Sequence, residues 1–205
     1  APQLGDKLVV WFIYVGNDLY DNLQPNLLHY RRPFVRRVKH TDAWEIVTSH
    51  ISPTKWPYNI ERQVSAHREM LTHTYTSTFI SQRAYSACDF LIEQGKHICS
   101  RAGARLVVMT IPDILELSPE GIKRLSSYCA DSTSFDPDMA DKKIDQICAR
   151  LEVPFIPAKS YLALEDYNRG DRHWNARGHR RVGQVLSELY DVDVSLAQPP
   201  QPAQR

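Results

Sequence analysis

The segment Leu8-Val9-Val10-Trp11-Phe12-Ile13-Tyr14-Val15-Gly16-Asn17-Asp18 decides the class of fold. Its first eight residues are a continuous apolar run of β-branched and aromatic side chains, which predicts a β-strand covered on both faces. Such strands are typical of a parallel sheet between two layers of helices. Gly16, Asn17 and Asp18 follow at the carboxyl end of this strand, which is the edge where ligand sites form in open α/β sheets.

Helices and strands alternate along the chain after this first strand. Apolar residues at helical or strand spacing predict helices over 77–101, 139–151 and 176–190, a short helix opening at Ser118, and strands over 105–111 and 153–157. The order predicts a three-layer α/β/α fold with a parallel sheet. Only three strands of this sheet are visible, whereas an average sheet has about five to six. We therefore expect the sheet to lack its N-terminal strands.

The length of 205 residues fits one domain, which we place at residues 1–192. Within it, residues 19–76 follow no clear period and are interpreted as an irregular insertion. The proline- and glutamine-rich end predicts a disordered tail over 193–205. Residues 29–40 hold four arginines, one lysine and no acid. They are either a solvated charged surface or a rim that attracts an anionic substrate.

The net charge of +1 gives no reason to expect a nucleic-acid partner. No apolar run reaches the length of a membrane span, so no membrane-spanning segment is expected in this chain. Its four cysteines, Cys88, Cys99, Cys129 and Cys148, form no CxxC pair, which argues against a zinc or redox site. Cys129 and Cys148 flank a polar loop and could form a disulfide, or all four could be buried thiols.

The segment Asp171-Arg172-His173-Trp174-Asn175-Ala176-Arg177-Gly178-His179 lies just before the last predicted helix, for which Asn175 is a natural N-cap. A carboxylate beside an imidazole fixes its tautomer and stabilises the imidazolium, so Asp171 and His173 are a candidate acid–base pair. Alternatively, Asp171 caps a turn and His173 is a surface residue. A metal site formed with His179 is a weaker interpretation, and we expect none.

Asn17 is the second candidate for chemistry. Held at the end of a rigid strand, its side-chain amide could donate to a developing oxyanion. Alternatively, Gly16-Asn17-Asp18 is an ordinary turn, with Asp18 as a helix cap. Gly16, Asp18 and Trp174 are candidates to line a substrate site, although Trp174 could equally pack on the sheet edge.

Together these two segments resemble the SGNH (GDSL-type) hydrolases, which are esterases and acyl-transfer enzymes with a flavodoxin-like α/β/α fold. Gly16-Asn17-Asp18 looks like the family block whose asparagine contributes to the oxyanion hole. Asp171 to His179 looks like the closing block, in which Asp and His belong to a Ser-His-Asp triad. The resemblance covers the order of elements over most of residues 5–190. It implies catalytic roles for His173 and Asp171 and an oxyanion-hole role for Asn17.

Two departures from the family pattern stand out. Val15 occupies the position where the family's asparagine block commonly has glycine, with Gly16 next to Asn17 instead. The family's Gly-Asp-Ser block, which carries the nucleophile, is not found. Gly5-Asp6-Lys7 precedes a strand and has lysine at the serine position. Ser77, Ser81 and Ser86, on the predicted helix, and Ser49, Ser52 and Ser65, in the insertion, stand in no nucleophile-elbow motif.

The resemblance therefore implies an ester hydrolase whose nucleophilic serine is not in this chain, so that the chain alone is inactive. An N-terminal segment or a second chain would complete the site. The substrate would be a small ester or an acylated carbohydrate or lipid, and no cofactor or metal is needed. The alternatives are an O-acetyltransferase or deacetylase acting on a polysaccharide, or a non-catalytic binding or partner chain. The family and the Cys129–Cys148 pairing favour an extracytoplasmic location.

Overall fold

A computed structural model describes residues 7–24, 26–27, 30–48, 52–53, 68–129, 132–170 and 172–197. The chain divides into two compact units, Ala1–Lys159 and Ser160–Arg205, and each is described by itself. The first unit contains the parallel sheet and the insertion. The second contains the closing segment and the last helix.

In chain order the elements of the first unit are β1 (Lys7–Tyr14), α1 (Asp18–Asp21), β2 (Asn26–Leu27), β3 (Tyr30–Arg31), β4 (Phe34–Arg37), β5 (Trp44–Val47), β6 (Ser52–Pro53), α2 (helical over 68–74), α3 (Phe79–Arg101), β7 (Ala104–Ile111), α4 (Pro119–Ser126), α5 (Met139–Arg150) and β8 (Phe155–Pro157). A 3₁₀ turn, Ile114–Leu117, lies between β7 and α4.

The central sheet is parallel, with the strand order β1-β7-β8. Lys7 lies opposite Ala104 and Tyr14 opposite Ile111, so β1 and β7 pair along their whole length. The parallel three-stranded sheet confirms the α/β class and is compatible with three layers. β8 lies at an edge of the sheet, as its prolines predict. Because all three strands run the same way, the residues after β1, β7 and β8 meet at one carboxyl edge.

The core of the first unit lies where α3 and α5 pack against this sheet. Ile13, Leu106 and Val108 from the strands meet a buried stripe on α3. Helical spacing in the sequence predicts an inward face that includes Ile80 and Ile98, but these two residues are exposed, at 42% and 67%. The members of the buried stripe recur at spacings of three, four or seven residues: Ser81, Ala84, Tyr85, Ala87, Cys88, Ile92 and Cys99.

The helix ends follow local capping chemistry. The side chain of Thr78 accepts from the Ser81 N–H, so α3 begins two residues later than predicted. Ser118 caps α4 and Pro119 occupies its first turn, as predicted. Gly103 has a φ of 70°, the left-handed conformation that ends α3.

Part of the segment 19–76 is regular, which the sequence pattern did not indicate. β4 and β5 form an antiparallel hairpin in which Val35 is buried. Arg36 pairs with Glu45 across the hairpin, and Arg37 pairs with Asp42. These arginines obscure the strand pattern in the sequence, and their partners neutralise much of the basic segment 29–40.

In the second unit, a 3₁₀ turn (Leu164–Asp166) and the closing segment precede α6 (Ala176–Ala197). Val182 is buried, as predicted. α6 continues seven residues beyond the predicted end at Tyr190, because Asp191 to Ala197 include neither proline nor glycine. Residues 198–205 of the predicted tail lie outside the described residues. None of the helices in the described ranges is long and apolar enough to cross a membrane.

Candidate functional site

Gly16 lies where the ring of Tyr14 folds back over the chain after β1. A Cβ at Gly16 would lie 2.5 Å from the Tyr14 ring, so any larger residue here would require that ring to move. The Tyr14 hydroxyl donates to Asp113 Oδ2 at 2.8 Å, which ties the carboxyl ends of β1 and β7 together. A side chain at position 16 would thus disturb the ring that makes this hydrogen bond.

Asn17 stands at the start of α1, just past the carboxyl end of β1. Its side chain makes no cap bond to the helix. Instead its Nδ2 donates to Oδ2 of Asp21 at 2.6 Å. Asp18 does not act as the helix cap, because its carboxylate accepts from the Tyr14 N–H at 2.8 Å. The Asn17 amide is thus held by a second side chain one helical turn away.

Asp21 is 5% exposed, and burial raises the pKa of its carboxyl while Arg32 and the Asn17 amide oppose that shift. Arg32 Nη2 lies 3.7 Å from Asp21 Oδ1 and also donates to the Asp21 main-chain oxygen. Arg32 Nε donates to the Gln24 oxygen at 3.3 Å. A residue of the basic segment thus supports the Asn17 turn.

A buried acidic pair follows β7 at the same edge. Asp113 is fully buried, and its Oδ1 accepts from the Leu115 N–H at 3.0 Å. Glu116 accepts from the Tyr75 hydroxyl at 2.6 Å and from the Asp113 N–H at 2.8 Å. Burial raises the pKa of Glu116 to about 7, although these donors and Lys159 lower it. Glu116 is therefore a carboxyl group that titrates near neutral pH.

Lys159 follows β8 and connects this acidic pair with α5. Its Nζ lies 3.6 Å from Glu116 Oε2 and 2.7 Å from Asp138 Oδ1. Asp141 accepts from the Thr110 hydroxyl at 2.6 Å, and burial raises the pKa of its carboxyl. The ends of β7 and β8 are thus joined by charged and hydrogen-bonded side chains.

In the second unit, His173 lies on a loop that is closed at both ends. Tyr167 and Trp174 form an antiparallel bridge. The His173 main-chain oxygen accepts from the Asn168 N–H at 3.0 Å and from Asn168 Nδ2 at 3.3 Å. The main chain of His173 is therefore fixed, while its side chain is exposed to solvent. Asp171, the predicted acid partner, lies outside the described residues.

Asn175 caps α6, as predicted. Its Oδ1 accepts from the N–H groups of Arg177 and Gly178, and its Nδ2 donates to the Glu165 and Tyr167 oxygens. One side chain thus joins the first turn of α6 to both sides of the preceding 3₁₀ turn.

Asp166 is the buried centre of this junction. It is fully buried, its Oδ1 lies 3.0 Å from Arg177 Nε, and its main-chain oxygen accepts from the Asn175 N–H. A Cβ at Gly178 would lie 2.4 Å from the Asp166 oxygen, so the close approach of α6 requires glycine. The Trp174 and His179 rings pack edge to face at 5.5 Å. Trp174 therefore packs against His179 within this unit, and its predicted roles, lining a substrate site or packing on the sheet edge, stay predictions.

A solvent-open depression of about 510 Å³ lies beside the closing loop. Its lining combines polar and apolar surface from six residues: Leu164, Glu165, Tyr167, Asn168, Arg169 and Asn175. Asn168 lines the depression and also holds the main chain of His173. The depression is thus connected to the predicted base through one side chain.

The predicted site residues fall into two groups. Gly16, Asn17 and Asp18 lie together in the first unit, and His173 and Trp174 lie together in the second. Within the described ranges, no three His, Cys, Asp or Glu residues are grouped as metal ligands.

The serines considered as nucleophiles occupy structural positions where their side chains are described. Ser81 accepts from the Thr78 N–H and completes a capping box, and Ser86 accepts from Trp44 Nε1 at 3.1 Å. Ser77 is exposed. A hydroxyl–imidazole contact does occur between Thr78 Oγ1 and His73 Nδ1, at 3.1 Å, where Thr78 serves as the N-cap of α3. The side chains of Ser49, Ser52 and Ser65 lie outside the described part.

All four cysteines carry free thiols, and three are buried. The Cys129–Cys148 disulfide considered from the sequence is absent from the structure. Burial raises the pKa of both thiols, which makes them poor nucleophiles.

Sequence reasoning missed the supporting residues Asp21, Arg32, Asp166 and Asn168. For Asp21 the sequence does contain a signal: it follows Asn17 by four residues, which places both side chains on one face of a helical turn. The interactions that make the others important join residues at least five positions apart, such as Arg32 with Asp21 and Asp166 with Arg177, and no local pattern reports them. No protein-family model, curated protein or solved structure matches this chain.

Proposed function

We propose that this chain carries the acid–base and oxyanion-binding part of an SGNH-type ester hydrolase. The observation that carries the proposal is the setting of Asn17 at the carboxyl edge of the parallel sheet. Its amide has two protons, and one is donated to the buried Asp21. The second Nδ2 proton remains available for an oxyanion, and it belongs to a side chain that is held at the end of a rigid strand, as an oxyanion donor requires.

The loop that carries His173 is held by hydrogen bonds, and this supports the same proposal. A general base must keep its position during the reaction, and the main chain of His173 is held by two donors from Asn168. The closing segment also has the capped helix start that the resemblance implies.

In the proposed reaction, a serine oxygen attacks the acyl carbon while His173 takes the serine proton. The carbonyl electrons move to oxygen, and Asn17 Nδ2 donates to that oxyanion. His173 then gives its proton to the leaving alcohol, which leaves an acyl-serine. Water attacks the acyl carbon while His173 takes a proton from it, and His173 returns this proton to the serine oxygen as the acid is released. Asp171 stabilises the imidazolium. We assign the serine to a position outside these 205 residues.

We propose the substrate class from the depression beside the closing loop. Glu165, Asn168 and Asn175 in its lining offer hydrogen-bond partners to a hydroxyl-bearing alcohol portion. We therefore favour short-chain esters of polar alcohols, which include O-acetylated carbohydrates.

The test is ester turnover by the natural protein that contains this chain, with His173→Ala and the matched control His179→Ala. His179 is an exposed histidine of the same unit that contacts Trp174. We expect turnover to fall at least about 10³-fold for His173→Ala, because the general base is lost, and to change little for His179→Ala. Equal loss in both variants would favour the metal interpretation, and unchanged turnover in both would refute the role of His173.

A further inference from the structure

We propose that Asp21 is a positioning residue that orients the Asn17 amide towards the oxyanion, an inference that rests on the proposed function. The geometry points to this role through the 2.6 Å hydrogen bond from Asn17 Nδ2 to Asp21 Oδ2. An amide side chain just past the carboxyl end of a strand rotates unless a neighbouring group forms a hydrogen bond with it. Accepting one proton of Nδ2 fixes the direction of the other.

The surroundings of Asp21 indicate that it is kept for a purpose other than stability. Its Oδ1 is buried and has no hydrogen-bond partner within the described ranges. The guanidinium of Arg32 lies 3.7 Å from this oxygen, too far for a hydrogen bond. A buried carboxylate with one oxygen unsatisfied costs free energy, and such exceptions call for an explanation. Orienting Asn17 provides one.

Arg32 completes the arrangement by neutralising Asp21. It also bonds main-chain oxygens of Asp21 and Gln24, so its position is fixed by more than the ion pair. The other neighbouring charge is Asp18, whose carboxylate is held by the Tyr14 N–H. Asp18 and Asp21 repel each other, and Arg32 offsets that repulsion. Arg32 and the Asn17 amide thus oppose the rise in the pKa of Asp21 that burial causes.

The first measurement is independent of activity. The side-chain amide resonances of Asn17, assigned by their loss in Asn17→Ala, are followed by ¹⁵N–¹H NMR from pH 4 to 8. We expect them to shift as Asp21 titrates above the usual range for aspartate, and to lose this titration in Asp21→Asn. Glu45→Ala, which removes an exposed carboxylate of the same unit, should leave the titration intact. Amide resonances insensitive to pH and to Asp21→Asn would overturn the proposal.

The second measurement is a double-mutant cycle on ester turnover by the natural protein. We expect Asn17→Ala to lower kcat by about 10²–10³-fold with little change in KM. Asp21→Ala should lower kcat by a smaller factor, and Asp21→Asn should lower it less, because asparagine keeps an acceptor oxygen. In the double mutant Asn17→Ala, Asp21→Ala, kcat should be no lower than in Asn17→Ala alone.

The outcomes separate the two proposals. Independent, additive losses in the cycle would show that Asp21 acts on stability and not through Asn17. Suppose that Asn17→Ala leaves turnover unchanged, although in the wild-type protein the Asn17 amide resonances titrate with Asp21. The oxyanion assignment then fails, and the hydrogen bond only stabilises the helical turn. In that case both the catalytic role of Asn17 and the positioning role of Asp21 are refuted.

Discussion

At the residue scale, Glu116 shows how the sheet edge holds charge. It is 5% exposed, and it accepts two hydrogen bonds while Lys159 lies 3.6 Å away. Burial disfavours the carboxylate more than these partners stabilise it, so its pKa rises to about 7. Because the folded pKa exceeds the unfolded value of about 4.3, the folded protein binds an extra proton between these values.

The free energy of unfolding should therefore fall as pH rises from about 4.5 to about 7, with Glu116 contributing on the order of 3 kcal/mol to that fall. Burial raises the pKa of Asp141 as well and adds a slope of the same sign. Glu116→Gln keeps an acceptor oxygen but binds no proton, so it should flatten the dependence. Urea unfolding at pH 5, 6, 7 and 8 measures this. Glu120→Gln, at an exposed position on α4, is the control, and an equal slope in both variants would refute the assignment.

At the scale of elements, the start of α6 packs closely against the 3₁₀ turn that precedes it. The Asp166 oxygen would lie 2.4 Å from a Cβ at Gly178, and Asn175 and Arg177 bind the same turn. The sequence predicted the Asn175 cap because capping is a local interaction. It did not predict Asp166, because that residue lies outside the predicted helix and is recognised only once the turn and helix are packed together.

Gly178→Ala should destabilise the protein by about 1–3 kcal/mol, because a methyl group must displace main chain or bend the helix. Gly183→Ala is a matched control on the same helix, where a Cβ would meet nothing within 4 Å. It should stabilise by about 0.5–1 kcal/mol through helix propensity. Urea unfolding of both variants gives the comparison. A Gly178→Ala protein as stable as Gly183→Ala would contradict the close contact.

At the scale of the whole molecule, the sequence predicted those features that depend on the apolar pattern and on the order of the strands and helices. The apolar runs predicted the parallel strands, and local capping residues predicted the starts of α4 and α6. The start of α3 and the end of α6 differ from the predicted residues by two and seven positions. The β4–β5 hairpin was missed because paired arginines interrupt its alternation. The buried stripe of α3 was misassigned at Ile80 and Ile98, because periodicity shows that a helix has an apolar face without showing which residues a neighbour covers. The carboxyl-edge pair of Asp113 and Glu116 depends on partners such as Tyr75, which lies 41 residues before Glu116.

The state of the cysteines is a property of the whole chain and has a direct test. Cys88, Cys99 and Cys148 are buried, and Cys129 is partly exposed. Thiol titration without reductant should give one reactive group at most in the native protein and four after denaturation. Two thiols after denaturation would show a disulfide and restore the Cys129–Cys148 pairing considered from the sequence.

The proposed division of the site is tested most directly by fluorophosphonate labelling, with the labelled peptide identified by mass spectrometry. We predict that the natural protein is labelled on a serine outside these 205 residues, that His173→Ala abolishes the label, and that the 205-residue chain alone is not labelled. Robust labelling of a serine within this chain, or labelling of the natural protein that survives His173→Ala, would contradict the assignment of His173 as the base of a serine that lies elsewhere.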